Sequence, residues 1–395
     1  SHEDIRLRFL EYICAELPVD DRGELSWILR MEVSRDRTNR SITLSQQHYA
    51  DKLVEKFMPP ACVLRQYDSP LDEETHPLSY DQCPDVGSDL HAAMTEKRAT
   101  YMSAVGGLLW LAAGTRPDLT YAVSLLARFC SNPGPPHYAA LMRVLGYLTR
   151  TRHHVLRIAP DRASEVEVYS DASWLTRSSV SGGLILFWHV LVAWWSRLQK
   201  SVSASPAEAE TYAAALASRE GVYLRDFAED IGFGVTSPTP LYLDSKAALD
   251  LAADPVAFKK TKHILRHAYE LRDRVARQIY APSFVDTHSQ LADILTKGLR
   301  VGPHQELLHR LLHPLRDDDG DATPERQAAN CAPPVEPTGL ARGGARGSPP
   351  DVTEVTTPAI IGTANPKHAA FKAELPGSST HETRRRARRE SESGR

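Results

Sequence analysis

Apolar positions recur at three- and four-residue spacing over 45–57, 101–113, 118–130 and 137–150, and this spacing predicts four helices in the first 160 residues. A strand-like run, Leu25 to Val33, precedes them. Between the first two helical patterns, 59–95 is rich in Pro and Asp, has little apolar periodicity, and is expected to be a long irregular connection. TRPD at 115–118 breaks the apolar run and places Pro117 at a helix start, where its missing N–H costs nothing.

From 161 to 313 the pattern changes. EVEVYS, GGLILFW and VLVAWWS read as short apolar strands, a long helix runs from Pro206 to about Asp230, and LYLD with further helices follows. Strands alternating with helices predict an α/β unit. The most apolar stretch, Leu184 to Trp195, is interrupted by His189 and falls short of the roughly 20 residues a membrane helix needs, so it reads as two buried strands. After Pro314 the chain becomes Pro, Gly, Arg, Asp and Ser dominated and ends near RRRARR at 384–389. Such composition cannot bury a core, so 314–395 is expected to be a disordered, low-complexity tail. The predicted division is 1–160, 161–313 and 314–395.

Composition narrows the class. The chain has 395 residues, enough for two ordinary domains plus tails. Hydrophobic content of 42% and charged content of 25% argue against wholesale disorder or a fibrous protein. A formal net charge of -3 gives no global pull on a polyanion, so any nucleic-acid contact must come from local basic patches. The five cysteines form no CxxC pair, which speaks against a zinc site or a disulfide scaffold and for a reducing, intracellular compartment. SHEDIRLRFL carries charges where a secretion signal needs an apolar core.

Acidic residues stand where the predicted strands end. VEVYSD ends in Asp171, LYLD ends in Asp244, and the helix beginning near Ala207 carries Glu208 and Glu210 in its first turns. Carboxylates gathered at one sheet edge repel one another unless cations neutralise them. Magnesium, which prefers oxygen ligands and keeps waters for substrate phosphates to replace, suits such a pocket. Each acid alone also reads as a solvated turn former, and Asp244 before Ser245 as a helix N-cap. Their order on a β-β-β-α-β-α pattern is the stronger signal.

YSDASW, RSSVSGG, WWSRLQKSVSASPAEAE, YLDSKAA, KKTKHI and QLADILTKGL, in this order, resemble the signature segments of the ribonuclease H domain of copia-type LTR retrotransposon Pol polyproteins. The resemblance implies a ribonuclease H-like mixed sheet flanked by helices, with Asp171, Glu210, Asp244 and Asp293 as catalytic acids and metal ligands. Glu210 is preferred over Glu208 because Glu210-Thr-Tyr-Ala213 fits the family's E-x-x-A turn. Two Mg2+ ions, or Mn2+ in their place, would serve hydrolysis of the RNA strand of an RNA:DNA hybrid, read by its shape and 2'-hydroxyls. No small-molecule cofactor and no membrane are implied, and the setting would be cytoplasmic, in a virus-like particle, or nuclear. DDRGELSWILRMEVSRD and YMSAVGGLLWLAAGTRPDLTYAVSLLARF resemble the C-terminal end of the same polyprotein's reverse transcriptase. The polymerase YxDD is absent and expected upstream of residue 1, so polymerisation is not expected and the upstream reverse transcriptase part is a candidate partner. The alternative is a catalytically inactive nucleic-acid-binding remnant.

The sequence departs from the family at Ser173, where a second acid is common, at His288, and at His267 and Tyr269, where the family carries Arg and His. Candidate phosphate contacts are Arg197, Lys200, Lys246, Lys259, Lys260, Lys262 and Arg266; each alone reads equally as a solvated surface charge. The run KKTKHILRH is harder to dismiss, since cations at a helix start are unfavourable without a phosphate partner. His263, His267 and His288 read first as ordinary histidines, with His288 a candidate proton shuttle, and Trp174, Trp188, Trp194 and Trp195 as core. RRRARR admits a nucleic-acid contact, a nuclear signal or no role.

Overall fold

Two five-stranded sheets organise the chain. The computed structural model describes residues 2–20, 22–57, 65–72, 77–160, 165–174, 179–253 and 265–314, all within one compact unit. Of the tail expected over 314–395 only Pro314 is described, and it is paired in a strand; the rest of it, with RRRARR, and the basic run at 259–263 lie outside the described residues.

After helix α1 (His2–Glu16), strands β1 (Trp27–Ile28), β2 (Met31–Asp36) and β3 (Ser41–Ser45) form a meander, followed by α2 (Gln47–Phe57). The run expected to be one strand is thus a hairpin. Leu29 (φ 49°) and Arg30 (φ 62°) adopt the left-handed turn conformation without the Gly or Asn that usually marks it, so the signal was missing from the sequence. Helix α3 (Asp89–Gly114) starts inside the stretch expected to be irregular. Apart from the buried Met94 its first turns face solvent and carry no apolar stripe; Ser88 caps them, accepting a hydrogen bond from the His91 N–H at 3.1 Å. Then come α4 (Thr120–Ala127), α5 (Pro135–Thr151) and β4 (His154–Ile158). Pro117 opens a single 3-10 turn ahead of α4. The region expected to be mostly helical therefore also holds a sheet, in the order β1-β2-β3-β4-β10, with β10 being His313–Pro314.

The second sheet has the mixed topology implied by the resemblance. Its strands are β5 (Val166–Ser173), β6 (Val180–Phe187), β7 (Val190–Leu198), β8 (Thr239–Leu243) and β9 (Tyr280–Phe284), in the order β7-β6-β5-β8-β9. β5, β6 and β7 pair antiparallel; β8 joins β5 in parallel, and β9 joins β8 in parallel. A parallel step needs a crossover, supplied by α6 (Pro206–Asp230) before β8 and by α7 (Lys246–Ala253) and α8 (Leu265–Ala276) before β9. Leu184 to Trp195 forms the end of β6 and most of β7, with Trp188 and His189 as the left-handed two-residue turn between them.

Period-two alternation on β5 divides the core. Val166 and Val168 pack with Ala214 and Ala217 of α6, Ala248 of α7 and Leu271 of α8. Tyr169 faces the other layer, with Leu291, Ile294 and Leu295 and with Leu307, Leu308 and Leu311 of α9 (Val301–Leu311). A third cluster lies among α2 to α5 and includes Val180 of β6. The Trp194 Nε1–H donates to the Ala112 carbonyl at 2.7 Å, and His313 of β10 pairs with Val155 of β4. These links cross the expected boundary at 160.

TRPD proves to be a buried polar hub. Arg116 donates to Asp118 from Nε (2.9 Å) and Nη2 (2.6 Å) and to the Thr151 carbonyl from Nη1 (2.9 Å), while the Tyr147 hydroxyl donates to Asp118 Oδ2 at 2.7 Å. Burial pushes the Asp118 carboxyl up, but the Arg116 charge and these hydrogen bonds hold it net below its ordinary value. The Tyr147 ring meets His304 of α9 edge-on, centroids 5.4 Å apart. Among the described residues Cys14, Cys83 and Cys130 are free thiols, and no helix is long and apolar enough to cross a membrane.

Candidate metal centre

Asp171, Asp244 and Asp293 come from three separate segments, and each brings a carboxylate oxygen to within 4.8 Å of the others. Asp171 lies on central strand β5, two residues before its end, and Asp244 directly follows β8, the parallel neighbour. Asp293 rides on a 3-10 turn, Leu291–Leu295, that rests on the sheet. Gln290 fastens this turn: its Nε2–H donates to the Ser170 carbonyl at 3.0 Å and its Oε1 accepts from the Ala292 N–H at 3.2 Å. The Thr296 hydroxyl donates to Asp171 Oδ2 at the other end.

The two glutamates of α6 part company. Glu208 serves the helix terminus: its N–H donates to the Ser205 hydroxyl (3.2 Å), and its carboxylate accepts from the Ala204 N–H (2.6 Å). Glu210 is buried beside Asp171 and Asp244, whose charges act on its carboxyl. Asp244 is not a helix cap, since Ser245 takes that role by accepting from the Ala248 N–H at 3.3 Å. It accepts instead from the Thr287 hydroxyl at 3.4 Å.

Crowding shows in the proton affinities. Burial, then the charges of Asp171 and Asp244, push Glu210 up to about 10. Burial and Asp171 push Asp293 up to about 7, and the same two causes raise Asp244. Lys297 answers this charge: its Nζ lies 2.9 Å from Asp293 Oδ2. Burial works against its ammonium, but the charges of Asp171 and Asp293 outweigh it and raise its proton affinity.

These donors fit a hard divalent cation. All are carboxylate oxygens, and Glu210 Oε2 and Asp293 Oδ1 are buried with no hydrogen-bond partner. A buried anionic oxygen left unpaired is costly, and an oxygen-preferring metal ion meets that need.

The other candidates are dispersed. Arg197 is engaged by Glu220 (2.7 Å) and lies over the Trp195 ring at 5.6 Å. Lys200, Lys246 and Arg266 are exposed, with Lys246 5.6 Å over the Phe284 ring. Lys259, Lys260, Lys262 and His263 lie outside the described residues. His267 packs edge-on to Tyr212, and His288 is exposed on the 3-10 turn Thr287–Ser289. Trp195 is buried as expected; Trp194 is half-buried on β7, Trp188 is half-buried on the turn beside Phe187, and Trp174 is 46% exposed. Gln290, Thr296, Lys297 and Gly182 were not singled out in the sequence, although QLADILTKGL and RSSVSGG contain them.

No family model matches the chain. It is 31% identical over 281 residues to the retrovirus-related Pol polyprotein from transposon TNT 1-94 of Nicotiana tabacum, covering 70% of this chain and 21% of that protein. It is 35% identical over 296 residues to the Pol polyprotein from transposon RE2 of Arabidopsis thaliana, covering 73% and 19%. The chain therefore spans about a fifth of the length of these relatives. Secreted RxLR effector protein 161 of Plasmopara viticola is 39% identical over 132 residues, 32% of this chain and 93% of that one. Among solved structures, the N-terminal RNase H domain of rv2228c from Mycobacterium tuberculosis, fused to maltose binding protein, aligns with 34% of this chain and 91% of that chain at 15% identity and a TM-score of 0.26, too loose to place any residue.

Proposed function

The chain belongs to the family of Pol polyproteins of copia-type transposons, and on that premise we propose that it is a retrotransposon ribonuclease H, hydrolysing the RNA strand of RNA:DNA hybrids endonucleolytically. The observation that carries the reading is the convergence of Asp171, Asp244 and Asp293 from three segments within 4.8 Å, beside the buried Glu210.

On this reading the four carboxylates hold two Mg2+ ions, or Mn2+ in their place. Such ions, when bound, supply an activated water and neutralise charge on the leaving oxygen. The chain's own part is placement. Gln290 and Thr296 hold the Asp293 turn against β5, and α6 buries Glu210 beside them. Lys200, Lys246 and Arg266, with Lys259, Lys260 and Lys262, are proposed to meet the hybrid's phosphates; Arg197 would do so only by leaving Glu220. Residues 161–313 would form the nuclease, 1–160 the reverse transcriptase C-terminal remnant without polymerase activity, and 314–395 a tail. The setting is proposed to be intracellular, cytoplasmic or nuclear.

A second reading is a module that grips hybrids without cutting. The ammonium already resting on Asp293 favours it, because part of the site's charge is neutralised from within. Incubating the purified protein with a labelled hybrid separates the two readings: the nuclease releases shortened RNA with Mg2+ or Mn2+, whereas the module retards the hybrid and leaves it intact.

A further inference from the structure

Lys297 differs from the other lysines and arginines named around the carboxylates. It follows Asp293 by four positions, and its Nζ stands 2.9 Å from Asp293 Oδ2. Its side chain is more than half covered and also lines a small cavity whose other walls include Asp118, Tyr121 and His304. This is a packed lysine with walls from both halves of the unit. The oxygen it holds belongs to one of the three carboxylates that converge. The other Asp293 oxygen, Oδ1, is buried with no hydrogen-bond partner, so the ammonium covers only one side of the carboxylate.

We propose that Lys297 is a resident counter-ion that competes with the divalent cation for the Asp293 carboxylate and so sets how tightly the metal binds. The inference rests on the metal-centre reading above. Its physical basis is elementary: like charges in a half-buried site repel strongly because water screens them poorly. A divalent ion entering beside Asp293 must either displace the ammonium or bear its repulsion. Without metal, the same ammonium relieves repulsion among the carboxylates and holds the cluster together. Removing its charge therefore weakens the metal-free fold and strengthens metal binding at once. A lysine that merely orients Asp293 would have the opposite effect on binding, because its loss frees the carboxylate to rotate.

The test is a Mn2+ titration of the full chain, followed by electron paramagnetic resonance of the free ion, for the parent, Lys297→Gln and Lys297→Arg. Lys297→Gln is expected to bind Mn2+ about three- to tenfold more tightly, and its metal-free melting temperature at low salt is expected to fall below the parent's. Lys297→Arg, which keeps the charge, is expected to stay within about twofold of the parent in affinity. Unchanged or weaker binding by Lys297→Gln, when the parent binds Mn2+, overturns the counter-ion role and leaves the metal centre standing. No binding by the parent at millimolar Mn2+ overturns both.

Discussion

Gly182 stands directly opposite Asp171 in the antiparallel pairing of β5 and β6, and a Cβ at this position would lie 2.5 Å from Thr296 Cγ2 and 3.0 Å from Leu295 Cβ. The missing side chain is what lets the turn carrying Asp293 rest on the sheet beside Asp171. Gly182→Ala is expected to push that turn outward, at a cost of about 1–3 kcal/mol in stability, and to lower hybrid cleavage by more than the stability loss explains. Urea unfolding and cleavage rates on the same variant check this; a stable, fully active Gly182→Ala would show that the close approach is dispensable.

The two glutamates of α6 separate by substitution. Glu210→Gln is expected to abolish cleavage while raising the melting temperature of the metal-free protein near pH 8, since folding of the parent at that pH must bind a proton to a carboxyl that is ionised in the unfolded chain. Glu208→Gln is expected to leave cleavage near the parent's and to cost about 1 kcal/mol at most, through the weakened helix start. Reversed outcomes would move the catalytic assignment to Glu208.

The raised acids have a pH signature. Asp293 binds its proton more tightly folded than unfolded, so its contribution to stability is complete below the ordinary carboxylate range and is lost as pH rises through about 7. Glu210 extends the same loss toward about 10. Without metal, the parent should therefore lose melting temperature relative to Asp293→Asn between about pH 5 and 8, and Mg2+ should reverse the loss. Parallel melting curves for the two proteins across that window would count against a crowded, buried cluster.

On the acid side the relevant group is His304. Burial lowers it to about 4, so it adds stability above its ordinary value near 6.5 that is lost as pH falls through about 4. His304→Leu should flatten this limb. Asp118→Ala should be harsher at every pH, costing about 3–5 kcal/mol by leaving Arg116 buried and unpaired. Chemical denaturation of both variants from pH 4 to 8 measures each effect.

Sequence pattern exposed what is local. The strand at Asp171, the hairpin around His189, the helix from Pro206 to Asp230 and the strand before Asp244 all appear where their apolar spacing places them. Non-local pairing left no such trace: β3 and β4 are short, join across more than a hundred residues, and have no periodicity of their own. The first turns of α3 form from a capping serine and good helix formers without an apolar stripe, so they passed for loop. At the site the acids were legible as types, but their supports were not. Gln290, Thr296 and Lys297 act through contacts with β5 and Asp293 that only the folded chain creates.

The central claim is that Asp171, Asp244, Asp293 and Glu210 form one metal-dependent hydrolytic site, and the direct measurement is cleavage of an RNA:DNA hybrid labelled on its RNA strand, with and without Mg2+. The account predicts internal cuts in the RNA strand that require the metal, no cuts in DNA duplex, and loss of cutting in Asp171→Asn with hybrid binding retained. An intact hybrid in Mg2+ and Mn2+, or undiminished cutting by Asp171→Asn, would contradict it.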